Sequence, residues 1–129
     1  MLKYFLLAAG GAIGTITRYL VSGSTSRLLQ ATVFPWGTLA VNLSGSFIIG
    51  LLAGCYEANL VSQGMRTFLF IGILGGYTTF SAFSLETFSL VRAGEIRYAL
   101  INLAASNLGG IALAFGGFLL SQYVVNSLK

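Results

Sequence analysis

Four long stretches of this chain carry no charged residue, and each, the first together with its apolar continuation, is about long enough to reach across a lipid bilayer. They comprise residues 4–17, which continue apolar past Arg18 to residue 21, and residues 28–56, 67–85 and 98–128. A transmembrane helix needs about 20 mostly apolar residues. Charged residues make up 8% of the chain, against about 25% in a soluble domain. We therefore predict an all-α integral membrane protein, a single transmembrane domain over residues 1–129 with four helices at approximately 3–21, 34–56, 66–91 and 96–125.

The first of these stretches has two readings. Met1, Lys3 and the following apolar run are similar to a secretory signal peptide, which would be removed. The apolar run continues through Gly14 to Val21, however, and three more spans follow. We therefore expect a retained first helix in a multi-pass protein of a bacterial inner membrane.

The basic residues are too evenly spread to set one orientation. Seven Lys and Arg residues against three Glu residues give a net charge of +4, but the basic residues are scattered singly, so no nucleic-acid partner is expected. Four spans place both termini on one side of the membrane. The two sides then carry nearly equal numbers of basic residues, so the positive-inside rule favours neither orientation. This balance favours insertion in both orientations and pairing as an antiparallel dual-topology homodimer, although one orientation can still win. The terminal side carries Lys3, Arg66 and Lys129, and the other side carries Arg27, Arg92 and Arg97, with Arg18 near the end of helix one.

The third uncharged stretch holds an unusual polar centre. Gly75 and Gly76 are followed by a dense set of hydroxyls that ends at Glu86. In hydrocarbon, an unpaired polar group costs several kcal/mol, so this segment must face protein or line a path. It predicts that helix three is broken at its centre, where freed carbonyls can hold a cation such as Na⁺. The alternative is a mildly kinked helix that packs through Gly72 and Gly76.

Polar and aromatic side chains recur at helical spacing within the predicted spans. An amide needs up to four hydrogen-bond partners, so Asn42 facing Ser106 could present donors to an anion. An aromatic ring has a positive edge, so Phe80 and Phe83 could do the same. The alternatives are interhelical hydrogen bonding for the polar groups and plain packing for the rings. The pairs that share a face are Asn42 with Ser46, Asn102 with Ser106, Ser81 with Ser84, and Phe80 with Phe83.

The ionisable residues point away from enzymes. The chain has no His, no Asp and one cysteine, Cys55, so neither a zinc site nor a catalytic triad can be assembled. Arg18 can snorkel to the headgroups or border an anion-attracting vestibule, and Glu86 can pair with it or with another basic group. A proton-coupled exporter would need a carboxylate nearer the bilayer centre.

Three segments together resemble the Fluc (CrcB) family of bacterial fluoride channels. They are Gly10-Gly11-Ala12-Ile13-Gly14 with Arg18-Tyr19, Gly37-Thr38-Leu39-Ala40-Val41-Asn42-Leu43-Ser44-Gly45, and Gly75-Gly76-Tyr77-Thr78-Thr79-Phe80-Ser81-Ala82-Phe83-Ser84-Leu85-Glu86. The resemblance covers essentially the whole chain, and the last segment is the most specific. It implies an antiparallel homodimer with two pores that let fluoride leave the cytoplasm passively and so lower its toxicity. The other classes considered are a small multidrug exporter, which would need a Glu in helix one, and a structural membrane protein.

The resemblance also implies roles for individual residues. The backbone carbonyls of Gly75 and Thr78 would hold a structural Na⁺ at the dimer centre, and Arg18 and Glu86 would lie in the vestibule. Ala82 stands where threonine or serine is usual, and Gly110 ends the polar track of helix four without a hydroxyl. The implied pore residues are Asn42, Phe80, Phe83, Thr79, Ser81, Ser84, Ser106 and Asn102, the last of which replaces a tyrosine that often begins this track.

Overall fold

Four helices are long and apolar enough to cross a membrane. In the computed structural model, which describes residues 1–30 and 33–128, they are α1 (Leu2–Leu28), α2 (Trp36–Glu57), α3 (Gln63–Arg92) and α4 (Ile96–Ser127). Lys129, which the charge comparison counted, lies outside the described residues. The chain is a multi-pass, all-helical membrane protein over the part that the structure describes.

Helix α1 continues beyond residue 21, where the sequence predicted its end. It runs on to Leu28 through a polar segment that contains Ser22, Ser26 and Arg27. A helix satisfies its own backbone hydrogen bonds, so it need not stop where its apolar stretch stops. The added turns extend α1 past the apolar span and bring Ser22 against α2, where a Cβ on Gly37 would overlap the Ser22 hydroxyl.

Helix α3 changes its backbone conformation along its length. It begins as a short α-helix at Gln63–Arg66, becomes π-helical over Thr67–Leu74 and returns to α-helix at Gly75–Tyr77. Thr78 and Thr79 are then extended, with ψ of 157° at Thr78 and φ of −150° at Thr79. The α-helix resumes at Phe80–Arg92, and the hydroxyl of Thr79 caps it by accepting from the Ala82 N–H at 3.2 Å.

Helix α4 contains a second π-helical turn. It is α-helical over Ile96–Ala104, π-helical over Ala105–Gly109 and α-helical again over Gly110–Ser127. A π turn holds more residues than an α turn, so it changes which side chains share a face downstream. Such turns are found frequently at functional sites.

Close glycine contacts bring the helices together in two pairs. Helix α1 packs on the part of α3 that precedes Thr78, and α2 packs on the later part of α4. A Cβ added to Gly14 would overlap the Ile73 carbonyl, and one added to Gly50 would overlap the Ala114 carbonyl. Small residues let helix backbones approach closely in membranes, where the hydrophobic effect does not drive association. We call the α1–α3 contact, which is made by Gly10, Gly14, Gly72 and Gly76, the glycine seam.

A small buried cluster joins α2 to α3 just before the extended residues. Val41, Leu74 and Tyr77 form it, with Val21 and Leu52 packed against it. The Tyr77 hydroxyl lies 2.8 Å from the Ser44 hydroxyl, so Tyr77 is held by apolar packing in the cluster and by this hydrogen bond. The cluster fixes the position of the residues that follow Tyr77.

Candidate functional site

The extended residues of α3 are bound by one side chain of α2. Asn42 Nδ2 donates to the carbonyl of Thr79 at 3.0 Å, and the Thr79 N–H donates to Asn42 Oδ1 at 2.9 Å. The amide thus pairs with the extended backbone as a neighbouring β-strand would. Asn42 has two Nδ2 hydrogens, and this pairing occupies one of them.

The same bonds divert two backbone donors away from their helical partners. In a continuous α-helix, the Thr79 N–H would bond the Gly75 carbonyl, and the Ala82 N–H would bond the Thr78 carbonyl. Here the Thr79 N–H bonds Asn42, and the Ala82 N–H bonds the Thr79 hydroxyl. The Gly75 and Thr78 carbonyls therefore lack the donors that a helix would supply.

A first cavity of about 370 Å³ lies beside the extended residues, between α2, α3 and α4. It brings together seven residues that the sequence singled out for the pore or the cation, from three helices. Every residue that lines it is neutral, and hydroxyl and amide groups alternate with apolar ones. The lining residues are Asn42, Gly45, Ser46, Ile49, Phe70, Leu74, Gly75, Thr78, Thr79, Phe80, Phe83, Ser106 and Asn107.

The two phenylalanines of the motif have different surroundings. Their ring centroids lie 5.6 Å apart, with the planes at 47°. Phe83 is buried, whereas Phe80 is 76% exposed. Phe80 thus forms an open side of the first cavity, and Phe83 forms part of its packed wall.

A second cavity, of about 650 Å³, lies between α1, α2 and α3 and also reaches the extended residues. Thr79 lines both cavities, so the two cavities meet at the extended residues. Unlike the first cavity, the second contains charged side chains, Arg18 and Glu86. Its lining residues are Thr15, Arg18, Tyr19, Ser22, Gly23, Thr38, Val41, Thr79, Ser81, Ala82, Leu85 and Glu86.

The carboxylate of Glu86 has a partner that the sequence analysis did not name. Thr38 donates its hydroxyl hydrogen to Glu86 Oε1 at 2.6 Å, while Glu86 Oε2 is buried and has no hydrogen-bond partner among the described residues. Arg18 and Glu86 share the second cavity, but the hydrogen bond of the carboxylate goes to Thr38. Thr38 could have been found, because it lies four residues before Asn42 and so on the same face of α2.

Two of the expected pore residues line neither cavity. Ser84 is exposed and donates to the Phe80 carbonyl at 2.9 Å. Asn102 is 1% exposed, and its Nδ2 donates to the Thr87 hydroxyl at 2.9 Å. Ser106, four residues further along α4, lies in the first cavity and donates to Asn102 Oδ1 at 3.4 Å.

Several residues of the first cavity were absent from the predicted pore set. Ser46 could have been included, because it shares the face of Asn42 at a spacing of four. Asn107 could not be placed from an α-helical period, since the π turn at Ala105–Gly109 brings it to the cavity next to Ser106. Phe70 and Leu74 belong to the other π-helical segment, so both of these segments contribute to the first cavity.

The chain matches known proteins along nearly its whole length. A family model described as CrcB-like protein, Camphor Resistance (CrcB), matches residues 5–118. The fluoride-specific ion channel FluC of Parabacteroides distasonis is 44% identical over 129 residues, which cover 100% of both chains. The fluoride-specific ion channel FluC of Agrobacterium fabrum is 47% identical over 123 residues, or 95% of this chain and 98% of the relative. The fluoride-specific ion channel FluC 1 of Rhodopseudomonas palustris is 47% identical over 129 residues, or 98% of this chain and 90% of the relative.

These matches confirm the resemblance that the sequence motifs indicated. The relatives are named as ion channels, which also confirms the expectation that the chain is not an enzyme. With a family model that spans most of its residues and relatives of 44% and 47% identity, this chain belongs to the CrcB family.

Proposed function

We propose that this protein is a fluoride-selective channel of the bacterial inner membrane. It lets fluoride leave the cytoplasm passively, down its electrochemical gradient, and so lowers fluoride toxicity in the cell. The names of the relatives support this function. The observation that carries it in the structure is the first cavity, where neutral hydrogen-bond donors converge beside the extended residues of α3.

The donors suit a small, strongly hydrated anion. Fluoride gives up its water only where other donors replace it, because burying an unsolvated charge is very costly. The second Nδ2 hydrogen of Asn42 and the hydroxyls of Thr79 and Ser106 supply donors along the first cavity. The ring edges of Phe80 and Phe83 add weaker positive potential.

The charged second cavity serves as the vestibule in this proposal. Arg18 draws anions toward it, and Thr79 and Ser81 line the way onward to the first cavity. Conduction needs sites that bind strongly enough to admit an ion and weakly enough to release it. A neutral first cavity meets that need, because no fixed positive charge holds the anion there.

Ser84 and Asn102 do not line this path in the proposal, and each acts through a neighbouring residue. Ser84 donates its hydroxyl hydrogen to the Phe80 carbonyl, so it stabilises the turn of α3 that carries Phe80. Asn102 lies behind the wall of the first cavity and touches the path through Ser106.

We further propose that two copies pair antiparallel, with dual topology, and enclose two pores. The balanced charges on the two sides of the membrane support insertion in both orientations. The 76% exposure of Phe80 at the mouth of the first cavity supports a second copy that closes it. The extended residues Thr78 and Thr79 act as the break of helix three, and the breaks of the two copies cross at the dimer centre.

A structural Na⁺ fits the carbonyls at this break. Na⁺ prefers oxygen ligands, and the carbonyls of Gly75 and Thr78 have lost their helical donors. Gly75 and Thr78 both line the first cavity, so this part of the backbone borders open space. When bound, the ion would neutralise these carbonyl dipoles and hold the two breaks together.

Fluoride efflux from proteoliposomes tests the proposed function. The purified protein is reconstituted, a K⁺ ionophore is added, and fluoride and chloride electrodes record release in parallel. We expect rapid fluoride release without chloride release, and its loss in Phe80→Ile. Phe115→Ile, which changes an exposed ring of α4 away from both cavities, should behave as wild type. Absence of fluoride release from folded dimeric protein would contradict the proposal and favour an exporter or a structural protein.

A further inference from the structure

The hydroxyl of Ser106 is bonded differently from the hydroxyls that donate to a carbonyl of their own helix. Serine and threonine in a helix commonly donate to a carbonyl of the preceding turn. Among the described residues, eight serine and threonine hydroxyls donate to the carbonyl four residues before them, at 2.7–3.1 Å, namely those of Thr17, Ser44, Thr67, Thr78, Ser84, Thr87, Ser89 and Ser127. Ser106 instead donates to the side chain of Asn102, at 3.4 Å.

Thr87 determines which way the amide of Asn102 points. A hydroxyl has a single hydrogen to donate, and Thr87 donates it to the Phe83 carbonyl at 2.8 Å. Thr87 can therefore only accept from Asn102, so the amide must turn its NH₂ group toward Thr87. The amide oxygen is then left facing Ser106.

We propose that Thr87 and Asn102 position the Ser106 hydroxyl as a readily released donor for the anion in the first cavity. This inference rests on the proposed function and names two positioning residues for it. The hydrogen-bond chain starts at Ser106 and ends at the carbonyl of Phe83, and both of these residues line the first cavity. The chain therefore ties the α4 wall of the cavity to the α3 wall through groups outside it.

The hydrogen bond from Ser106 to Asn102 is long, and this length lets the hydroxyl be released. Hydroxyl hydrogen bonds are commonly 2.5–3.0 Å long, and the bond to Asn102 is longer, at 3.4 Å. A hydroxyl held so loosely can turn its hydrogen to an arriving anion and return when the ion leaves. Without Asn102, the hydroxyl would be drawn to a carbonyl of its own helix, as the other eight are.

Fluoride efflux of paired variants tests the inference. Thr87→Val keeps the shape of the side chain but removes the hydroxyl, and Thr87→Ser restores it. We expect the initial fluoride efflux rate to fall about tenfold in Thr87→Val and to stay within about twofold of wild type in Thr87→Ser. Ser89→Ala removes a nearby α3 hydroxyl that bonds only its own helix, and it should match wild type.

A double-mutant comparison separates positioning from general stability. If Thr87 acts through Ser106, the effect of Thr87→Val should vanish in a Ser106→Ala background. Thr87→Val combined with Asn102→Leu leaves no polar group unpaired, so it should keep wild-type helicity and elution while losing about as much flux as Thr87→Val. This variant also covers the case in which Thr87→Val alone fails to fold.

The outcomes distinguish this inference from the proposed function. Wild-type protein that conducts no fluoride contradicts the function itself. Conducting wild type together with full flux in the folded double variant overturns the positioning role alone. Equal effects of Thr87→Val with and without the Ser106 hydroxyl would overturn it as well.

Discussion

The part of α3 before Thr78 and the extended residues Thr78 and Thr79 are held in place by different kinds of contact. Before Thr78, backbone meets backbone, and a Cβ on Gly10 would lie only 2.7 Å from the Phe68 carbonyl. At Thr79, one amide side chain, Asn42, forms two hydrogen bonds with the backbone. The glycine seam therefore tolerates no added volume but needs no polar partner, whereas the extended residues depend on one amide. Close packing of backbones and side-chain pairing of the backbone thus occur in adjacent parts of one helix.

Bulk in the glycine seam should have the largest effect on folding. Gly14→Val would drive a side chain into the Ile73 carbonyl, and overpacking of this kind costs about 3 kcal/mol. We expect a large loss of folded, monodisperse protein and a lower thermal midpoint by circular dichroism. Gly116→Val is the matched control, since a Cβ there meets nothing within 4 Å. Equal stability of the two variants would contradict the comparison.

Charge at Asn42 should have the largest effect on conduction. Asn42→Asp keeps an oxygen for the Thr79 N–H but loses the donor to the Thr79 carbonyl and places a like charge on the anion path. We expect fluoride efflux to fall about a hundredfold while the seam keeps the protein folded. Asn126→Asp adds the same charge at an exposed position on α4 and should conduct as wild type. Efflux in Asn42→Asp equal to this control would remove Asn42 from the path.

Sodium should matter to the extended residues and not to the glycine seam. If the Gly75 and Thr78 carbonyls hold Na⁺ in the dimer, Na⁺ at a hundred times its dissociation constant adds about 2.7 kcal/mol of stability. We expect the thermal midpoint of the detergent-solubilised dimer to rise with Na⁺ and not with the same concentration of N-methylglucamine. The Na⁺-dependent rise should persist in Gly116→Val. Identical midpoints in the two salts would contradict the sodium site.

Loss of the Thr38 hydroxyl should have the smallest effect. Thr38→Val removes the hydrogen bond to Glu86 Oε1 and leaves that oxygen without its partner, at a cost of about 1 kcal/mol. We expect a lower thermal midpoint by circular dichroism, and Thr38→Ser should restore it. If valine and serine give the same midpoint, the hydrogen bond contributes nothing to stability.

Charge-free length was enough to predict the four spans, because hydrocarbon excludes charges whatever the packing. It could not predict the end of α1, since a helix that leaves the bilayer still satisfies its own backbone. The polar centre of α3 was visible as glycines and hydroxyls among apolar residues. Its pairing with Asn42 was not, because that pairing joins residues 37 positions apart.

On α4, the helical period was a poorer guide than on α2. A spacing of four placed Asn102 and Ser106 on one face, and their side chains do meet, yet Asn102 is buried outside the first cavity and only Ser106 of the two lines it. The π turn at Ala105–Gly109 changes the period there and brings Asn107 to the cavity. No residue type predicts a π turn, so the position of the side chains that follow it could be read only from the structure.

The most direct test of the central proposal, that the neutral first cavity conducts fluoride, is a reversal potential. The protein is inserted into a planar lipid bilayer with opposing gradients of NaF and NaCl, and the voltage of zero current is measured. The proposal predicts a voltage at the fluoride equilibrium potential and loss of the current in Phe83→Ile. A voltage at the chloride or sodium equilibrium potential, or an unchanged current in Phe83→Ile, would contradict it.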